Sequence, residues 1–169
     1  LIIGNLSNIF TFESDYWENP INNVTISGII FRDTRYTYLD RWGTPSGGDW
    51  SLYRYGAMYF ENATNCSIES SVFNRLDGNC IGVYGYNRGL KFYRNTFEYI
   101  GDNVIGLWGI TNADDGTIPF QPRFINITQN YVHDIGLWQL QSSLLFQAKS
   151  CQNYVKNNIV FNIPRAAIL

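Results

Sequence analysis

Leu90-Lys91-Phe92-Tyr93-Arg94-Asn95-Thr96-Phe97 is the stretch from which the fold can be read. Its apolar residues stand at offsets zero, two and seven, with asparagine at offset five. The same apolar offsets recur at Val24/Ile26/Phe31, Cys66/Ile68/Phe73 and Ile125/Ile127/Val132, and in weaker form at Asn153/Val155/Val160. Asparagine returns at Asn130 and Asn158, while Ile29 and Ser71 hold that place in the first two copies. Apolar residues two apart mark a period-two strand, and the polar gap before the third marks a tight turn into another strand. A second apolar pair follows in several copies, at Ile81/Val83, Ile105/Leu107 and from Ile168 onward.

A unit this small cannot bury its apolar face alone, so copies must stack. From Cys66 to Leu90 the spacing is 24 residues (90 − 66). That is short for a strand-helix repeat and suits one coil of a parallel β-helix, with coils about 4.8 Å apart. Asparagine suits a stacked turn because its amide can bond neighbouring coils while its backbone adopts a turn conformation. The expected fold is all-β, a parallel β-helix of about five coils in a single domain over 1–169, its coils starting near residue 22. A regular antiparallel sandwich is the alternative, but it gives no reason for asparagines in register. The expected core is Val24, Ile26, Phe31, Ile68, Phe73, Ile81, Val83, Leu90, Phe92, Phe97, Ile105, Leu107, Ile127, Val132, Val155 and Val160.

Composition agrees. The chain has 169 residues, 15% charged and 17% aromatic, which fits an all-β protein. A net charge of −2 gives no electrostatic reason to expect nucleic acid or an anionic membrane as partner. No apolar run reaches the roughly 18 residues of a membrane span. The chain starts without Met and ends within a strand-like segment, Ile168-Leu169, which reads as an excerpt of a longer solenoid with further coils or chains at its open ends. Five Asn-x-Ser/Thr sequons, at Asn5, Asn23, Asn62, Asn65 and Asn126, point to an extracellular or cell-surface glycoprotein. Cys66, Cys80 and Cys151 are expected to be unpaired, with Cys66 buried as a small apolar residue.

Three insertions interrupt the coils, at 32–55, 109–122 and 134–141. The first contains Trp42, Asp49, Trp50 and Arg54, the second Asp114-Asp115, and the third Trp138. Alternation along the strands places Ile81/Val83, Ile105/Leu107 and Leu144/Phe146 inward. It places Glu61, Tyr84, Trp108 and Gln147 outward in successive coils, with Lys149 two residues further on. Such a ladder offers flat apolar faces beside hydrogen-bonding groups, the combination that a sugar ring requires. Glycoside hydrolysis needs two carboxyl groups, and the candidates are Asp49, Glu61, Asp77 and Asp102. Asp77 and Asp102 occupy nearly the same turn in adjacent coils; the structural alternative is that both are ordinary turn aspartates.

The turns Arg94-Asn95-Thr96-Phe97, Asn157-Asn158-Ile159-Val160, Asp77-Gly78-Asn79 and Gly101-Asp102-Asn103 resemble those of right-handed parallel β-helix repeats in the pectate-lyase-like superfamily. The segments Trp42–Trp50 and Gln141–Cys151 look like those of large secreted β-helix proteins classed with glycoside hydrolases. The resemblance implies a right-handed coil and an extracellular carbohydrate-active protein, a polysaccharide hydrolase or lyase. The alternative within the same resemblance is a non-catalytic β-helix that binds glycans or builds a surface structure or filament. Polygalacturonase-type motifs are not matched: Asp114-Asp115 sits in an insertion and His133 has no flanking glycines. The sequence shows no dense acidic cluster of the kind that holds calcium in pectate lyases, and no cofactor or metal is expected from it.

Overall fold

A computed structural model describes residues 5–37, 55–112 and 115–169. Among them every regular element is a strand. The strands fall into rungs, each passing through three sheets in turn. The first rung holds β1 (Phe10–Glu13), β2 (Ile21–Asn22), β3 (Thr25–Ser27) and β4 (Ile30–Arg32). The second holds β5 (Met58–Thr64), β6 (Ser67–Glu69) and β7 (Val72–Leu76), and the third β8 (Ile81–Arg88), β9 (Lys91–Tyr93) and β10 (Thr96–Ile100). The fourth holds β11 (Ile105–Trp108), β12 (Pro122–Arg123), β13 (Asn126–Thr128) and β14 (Tyr131–Ile135). The fifth holds β15 (Leu145–Ala148), β16 (Tyr154–Lys156) and β17 (Ile159–Phe161).

Every pairing between named strands is parallel and joins neighbouring rungs. The first sheet runs β1-β5-β8-β11-β15 with β2 and β12 attached, the second β3-β6-β9-β13-β16, and the third β4-β7-β10-β14-β17. The fold is therefore an all-β, solenoid-like stack of three parallel sheets. The stack begins earlier than residue 22, because β1 pairs with β5 from Phe10↔Met58 onward.

The turns follow one rule. Three columns of residues, one per corner, adopt left-handed backbone: Asn23, Asn65, Gly89, Phe124 and Gln152; Gly28, Ser70, Arg94, Gln129 and Asn157; Asp33, Arg75, Tyr99, Asp134 and Asn162. Non-glycine residues adopt this conformation at a cost. Hydrogen bonds between rungs offset it at the second column, where Ser70 N donates to Tyr93 O at 2.9 Å and Arg94 N to Thr128 O at 3.2 Å. The next residue in each rung is the recurring asparagine. Ser71 N donates to Asn95 Oδ1 at 3.0 Å, Asn95 N to Asn130 Oδ1 at 3.0 Å, and Asn130 N to Asn158 Oδ1 at 2.9 Å. The three amide nitrogens donate to Ile68 O, Phe92 O and Ile127 O at 2.9–3.0 Å. A second column links Asn79, Asn103 and Ser143, with Asn103 N on Asn79 Oδ1 at 3.1 Å and Ser143 N on Asn103 Oδ1 at 2.9 Å.

Side chains inside the stack repeat vertically. Phe31, Phe73 and Phe97 stack with ring centroids 4.9 Å apart at each step. Ile68, Phe73, Ile81, Val83, Leu90, Phe92, Phe97, Ile105, Leu107, Ile127 and Val132 are fully buried, as expected. Ile26, Val155 and Val160 are only partly buried against the core. Val24 is 37% exposed and so outside it. These residues lie on the two end rungs, where a side chain packs against one neighbouring rung instead of two. Cys66 is buried and its Sγ donates to Thr64 O at 3.3 Å; all three cysteines are free thiols.

Phe97→Ala should destabilise the chain by about 3–5 kcal/mol, because it removes the fully buried third ring of the phenylalanine column. Chemical denaturation of the two proteins checks this; a change below about 1 kcal/mol is incompatible with this packing.

Candidate functional site

The outer face of the first sheet carries the ladder expected from alternation, with one correction. Register aligns Glu13, Glu61, Tyr84, Trp108 and Ala148 across the five rungs. Gln147 pairs instead with Leu107, and Leu145 rather than Leu144 pairs with Ile105. Leu144, Leu145 and Phe146 are all buried, so three consecutive apolar residues hide the phase of the alternation. Gln147 is exposed, and its Oε1 accepts from Ser150 Oγ at 3.2 Å. Lys149 is also exposed and takes left-handed backbone at the following turn.

Glu61, Tyr84 and Trp108 are half-buried. Between their column and the preceding corner lies a second outward column, Tyr59-Gly82-Gly106-Phe146. All four residues are buried, so at the two middle rungs this column is covered backbone flanked by rings. Phe146 lies nearly parallel to Trp108, with centroids 6.5 Å apart and planes 8° apart. Tyr59 Oη donates to Glu61 Oε2 at 2.5 Å. Burial, with the Glu61 carboxylate beside it, pushes the Tyr59 phenol well above its usual range. One end of this face is therefore a fixed tyrosine-carboxylate pair and the other an aromatic shelf.

Two arginines that pattern reading does not single out hold the second insertion beside the shelf. Arg88 pairs with Arg123 in adjacent rungs. Arg88 donates to Pro119 O at 2.8 Å and also to Gln121 O, while Arg123 donates to Gly116 O at 3.0 Å. Arg123 Nε is buried without a partner among the described residues. No sequence signal marks these arginines, since their role is to bond backbone carbonyls.

The remaining candidates separate. Asp102 is 5% exposed, and its Oδ1 accepts from Asn103 N at 2.9 Å, Asn103 Nδ2 at 2.8 Å and Ser142 Oγ at 3.0 Å. It is thus built into the asparagine turn. Asp77, one rung before at the same corner between the third and first sheets, has a different partner: its Oδ2 accepts from Thr37 N at 2.6 Å. The adjacent-coil aspartates therefore have different surroundings. Trp42, Asp49, Trp50 and Arg54 lie outside the described residues, as does Asp114.

Among the sequons, Asn5, Asn23 and Asn65 are exposed, and Asn62 and Asn126 are half-buried. Asn62 Nδ2 donates to Ser14 O at 2.7 Å and Asn65 Nδ2 to Asn22 Oδ1 at 3.2 Å. Among the described residues no group of three His, Cys, Asp or Glu side chains is placed to hold a metal ion, and no helix is long and apolar enough to cross a membrane. No protein-family model matches the chain, and no curated protein or solved structure matches it significantly.

Enclosure raises the Asp102 carboxyl to about 6, outweighing the three donors that favour its ionised form. The native state then holds a proton that the unfolded chain, near 3.9, has released. Stability should fall as pH rises from about 4 to 6, by on the order of 2–3 kcal/mol, and level off above that. Asp102→Asn should remove this slope without loss of stability at pH 8, as urea titrations across that range would reveal. A slope unchanged by the substitution assigns the proton elsewhere.

Proposed function

We propose that the chain is a right-handed parallel β-helix of the pectate-lyase-like kind and that it binds an extended glycan along the outer face of its first sheet. The reading carries extracellular or cell-surface localisation with it, since five sequons and a glycan partner belong to that environment. Right-handed coiling is the rule for parallel strands joined by a crossover.

The single observation behind the binding assignment is the register Glu61↔Tyr84↔Trp108 across three adjacent rungs. Successive rungs repeat at about 4.8 Å, near the length of one pyranose unit, so a sugar chain crossing the strands meets a new side chain at each step. The aromatic faces take the apolar side of a ring, and Glu61 takes hydroxyls. Binding is favoured over hydrolysis because Asp102 is enclosed by its turn and Asp77 lines the corner cleft and not the ladder. Hydrolysis or lysis is the second reading, and the Tyr59–Glu61 pair is the observation that favours it. It supplies one fixed carboxylate on the ladder, and Glu13, in register with Glu61 on the adjacent rung, offers the second that a hydrolase needs.

Affinity electrophoresis through gels containing neutral or acidic polysaccharides tests the proposal. The wild-type chain should be retarded by at least one of them, and Trp108→Ala should weaken that retardation about tenfold. A reducing-end assay on the same polysaccharides separates the readings. Sugar release that is lost in Glu61→Gln would favour the enzyme. Retardation unaltered by Trp108→Ala would remove the ladder from the account.

A further inference from the structure

A second concavity lies away from this ladder, at the corner between the third and first sheets. It is a cleft of about 480 Å³, within the roughly 300–1,000 Å³ range of ligand sites. Its lining includes Asp33, Tyr36, Arg75, Asp77, Tyr99 and Trp138. These residues come from three different rungs and from the turn after β14. Three of them are large aromatic side chains left open to solvent: Tyr36 is 53% exposed, Tyr99 46% and Trp138 49%.

Their exposure is combined with a fixed frame. Trp138 N donates to Gly101 O at 3.0 Å, and Leu137 N to Ile100 O at 3.2 Å, so the turn is tied to the rung before it. Gly101 makes the approach possible. A Cβ there would lie 1.7 Å from Asp77 O and 2.5 Å from Trp138 Cδ1. Tyr36 meets Trp138 edge to face, with centroids 6.3 Å apart. Tyr99 occupies the left-handed corner column together with Asp33 and Arg75. Arg75 Nε and Nη2 both donate to Asp33, at 2.8 and 3.1 Å, and Arg32 Nε adds a third bond at 2.6 Å.

We propose that this cleft is a saccharide site, separate from the first-sheet face, that takes neutral pyranose rings. Its geometry stands whether or not the first-sheet face binds a glycan. Rings held open on a rigid backbone suit the C–H face of a sugar, and preorganisation lowers the cost of binding. The Asp33 carboxylate accepts three of the roughly four hydrogen bonds it can take, which leaves capacity for a hydroxyl group. Charge selects the ligand class. The described lining residues include two carboxylates and one cation, Arg75, which is committed to Asp33 through two nitrogens, and the adjacent Arg32 guanidinium is committed to the same carboxylate. A uronate would therefore meet carboxylates whose neighbouring guanidiniums are already engaged, Arg75 and Arg32 by Asp33 and Arg35 by Tyr36 O at 3.0 Å.

Proton-nitrogen correlation spectra of the labelled chain test this directly. The indole N–H signal of Trp138 is the one missing from Trp138→Phe. Cellobiose, xylobiose, mannobiose and galactobiose serve as neutral probes and digalacturonate as the acidic one. The Trp138 signal should move with at least one neutral disaccharide, and should move little or not at all with digalacturonate. Trp138→Ala and Tyr99→Ala should each weaken binding of that disaccharide about tenfold. Trp108→Ala should leave the Trp138 shift intact, which separates this cleft from the first-sheet face. The proposal is overturned if no neutral probe moves the signal, if digalacturonate moves it equally, or if both cleft variants bind as the wild type does.

Discussion

The side-chain amides of Asn95, Asn130 and Asn158 set the frame on which the rest of this structure depends. At the corner between the second and third sheets each rung passes through a left-handed residue, and the following N–H points along the stack where no backbone carbonyl receives it. The asparagine of the neighbouring rung supplies the acceptor, and its own nitrogen returns to a strand carbonyl. Buried backbone groups left unpaired are costly, so this side chain decides whether the turn can be buried at all. Ser71 does a smaller version of the same task, with its hydroxyl accepting from Ile29 N at 3.2 Å. With the corner fixed, the register of all three sheets is fixed, and the phenylalanine column falls into line.

A fixed register turns sequence position into spatial position. Residues at one offset in successive rungs become a vertical column on the surface. One column brings Glu61, Tyr84 and Trp108 together on the first sheet. Another brings Asp33, Arg75 and Tyr99 to the far corner, where the segment carrying Tyr36 and the turn carrying Trp138 complete a cleft. The second insertion leaves this frame unharmed although it departs within the first sheet, because Trp108 and Pro122 on either side of it pair with Tyr84 and Asn87 of the same strand, β8. The Arg88 and Arg123 side chains then tie the 115–122 segment down by its carbonyls. The core and the turns are thus repetitive, and chemical variety is confined to outward positions and corners.

Much of the frame is legible in the amino-acid sequence. Leu90, Phe92, Asn95 and Phe97 carry both the period and the turn, and the asparagine column lies where that pattern places it. Glu61, Tyr84 and Trp108 follow from simple alternation. Gln147 did not, since Leu144, Leu145 and Phe146 are apolar in succession and alternation then has no unique phase. Val24 matches the apolar pattern but sits on an end rung, and pattern cannot see which copy is terminal. The left-handed columns are illegible for another reason: Gly89, Phe124, Arg94 and Tyr99 share a backbone shape and no side-chain property. Asp102 looked like a catalytic candidate because its burial comes from Ser142, forty positions later in the chain. The corner cleft was hidden because its residues share neither type nor motif.

Amide hydrogen exchange at one turn tests the asparagine frame most directly. Asn95 N–H donates to the Asn130 side chain, whereas its neighbour Thr96 N–H donates to Ser71 O at 2.9 Å in the opposite rung. In the wild-type chain both amides should be among the most protected. In Asn130→Ala the Asn95 amide should lose protection by a far larger factor than the Thr96 amide. Rapid exchange of Asn95 N–H in the wild type, or equal loss at both amides in the variant, would contradict the account.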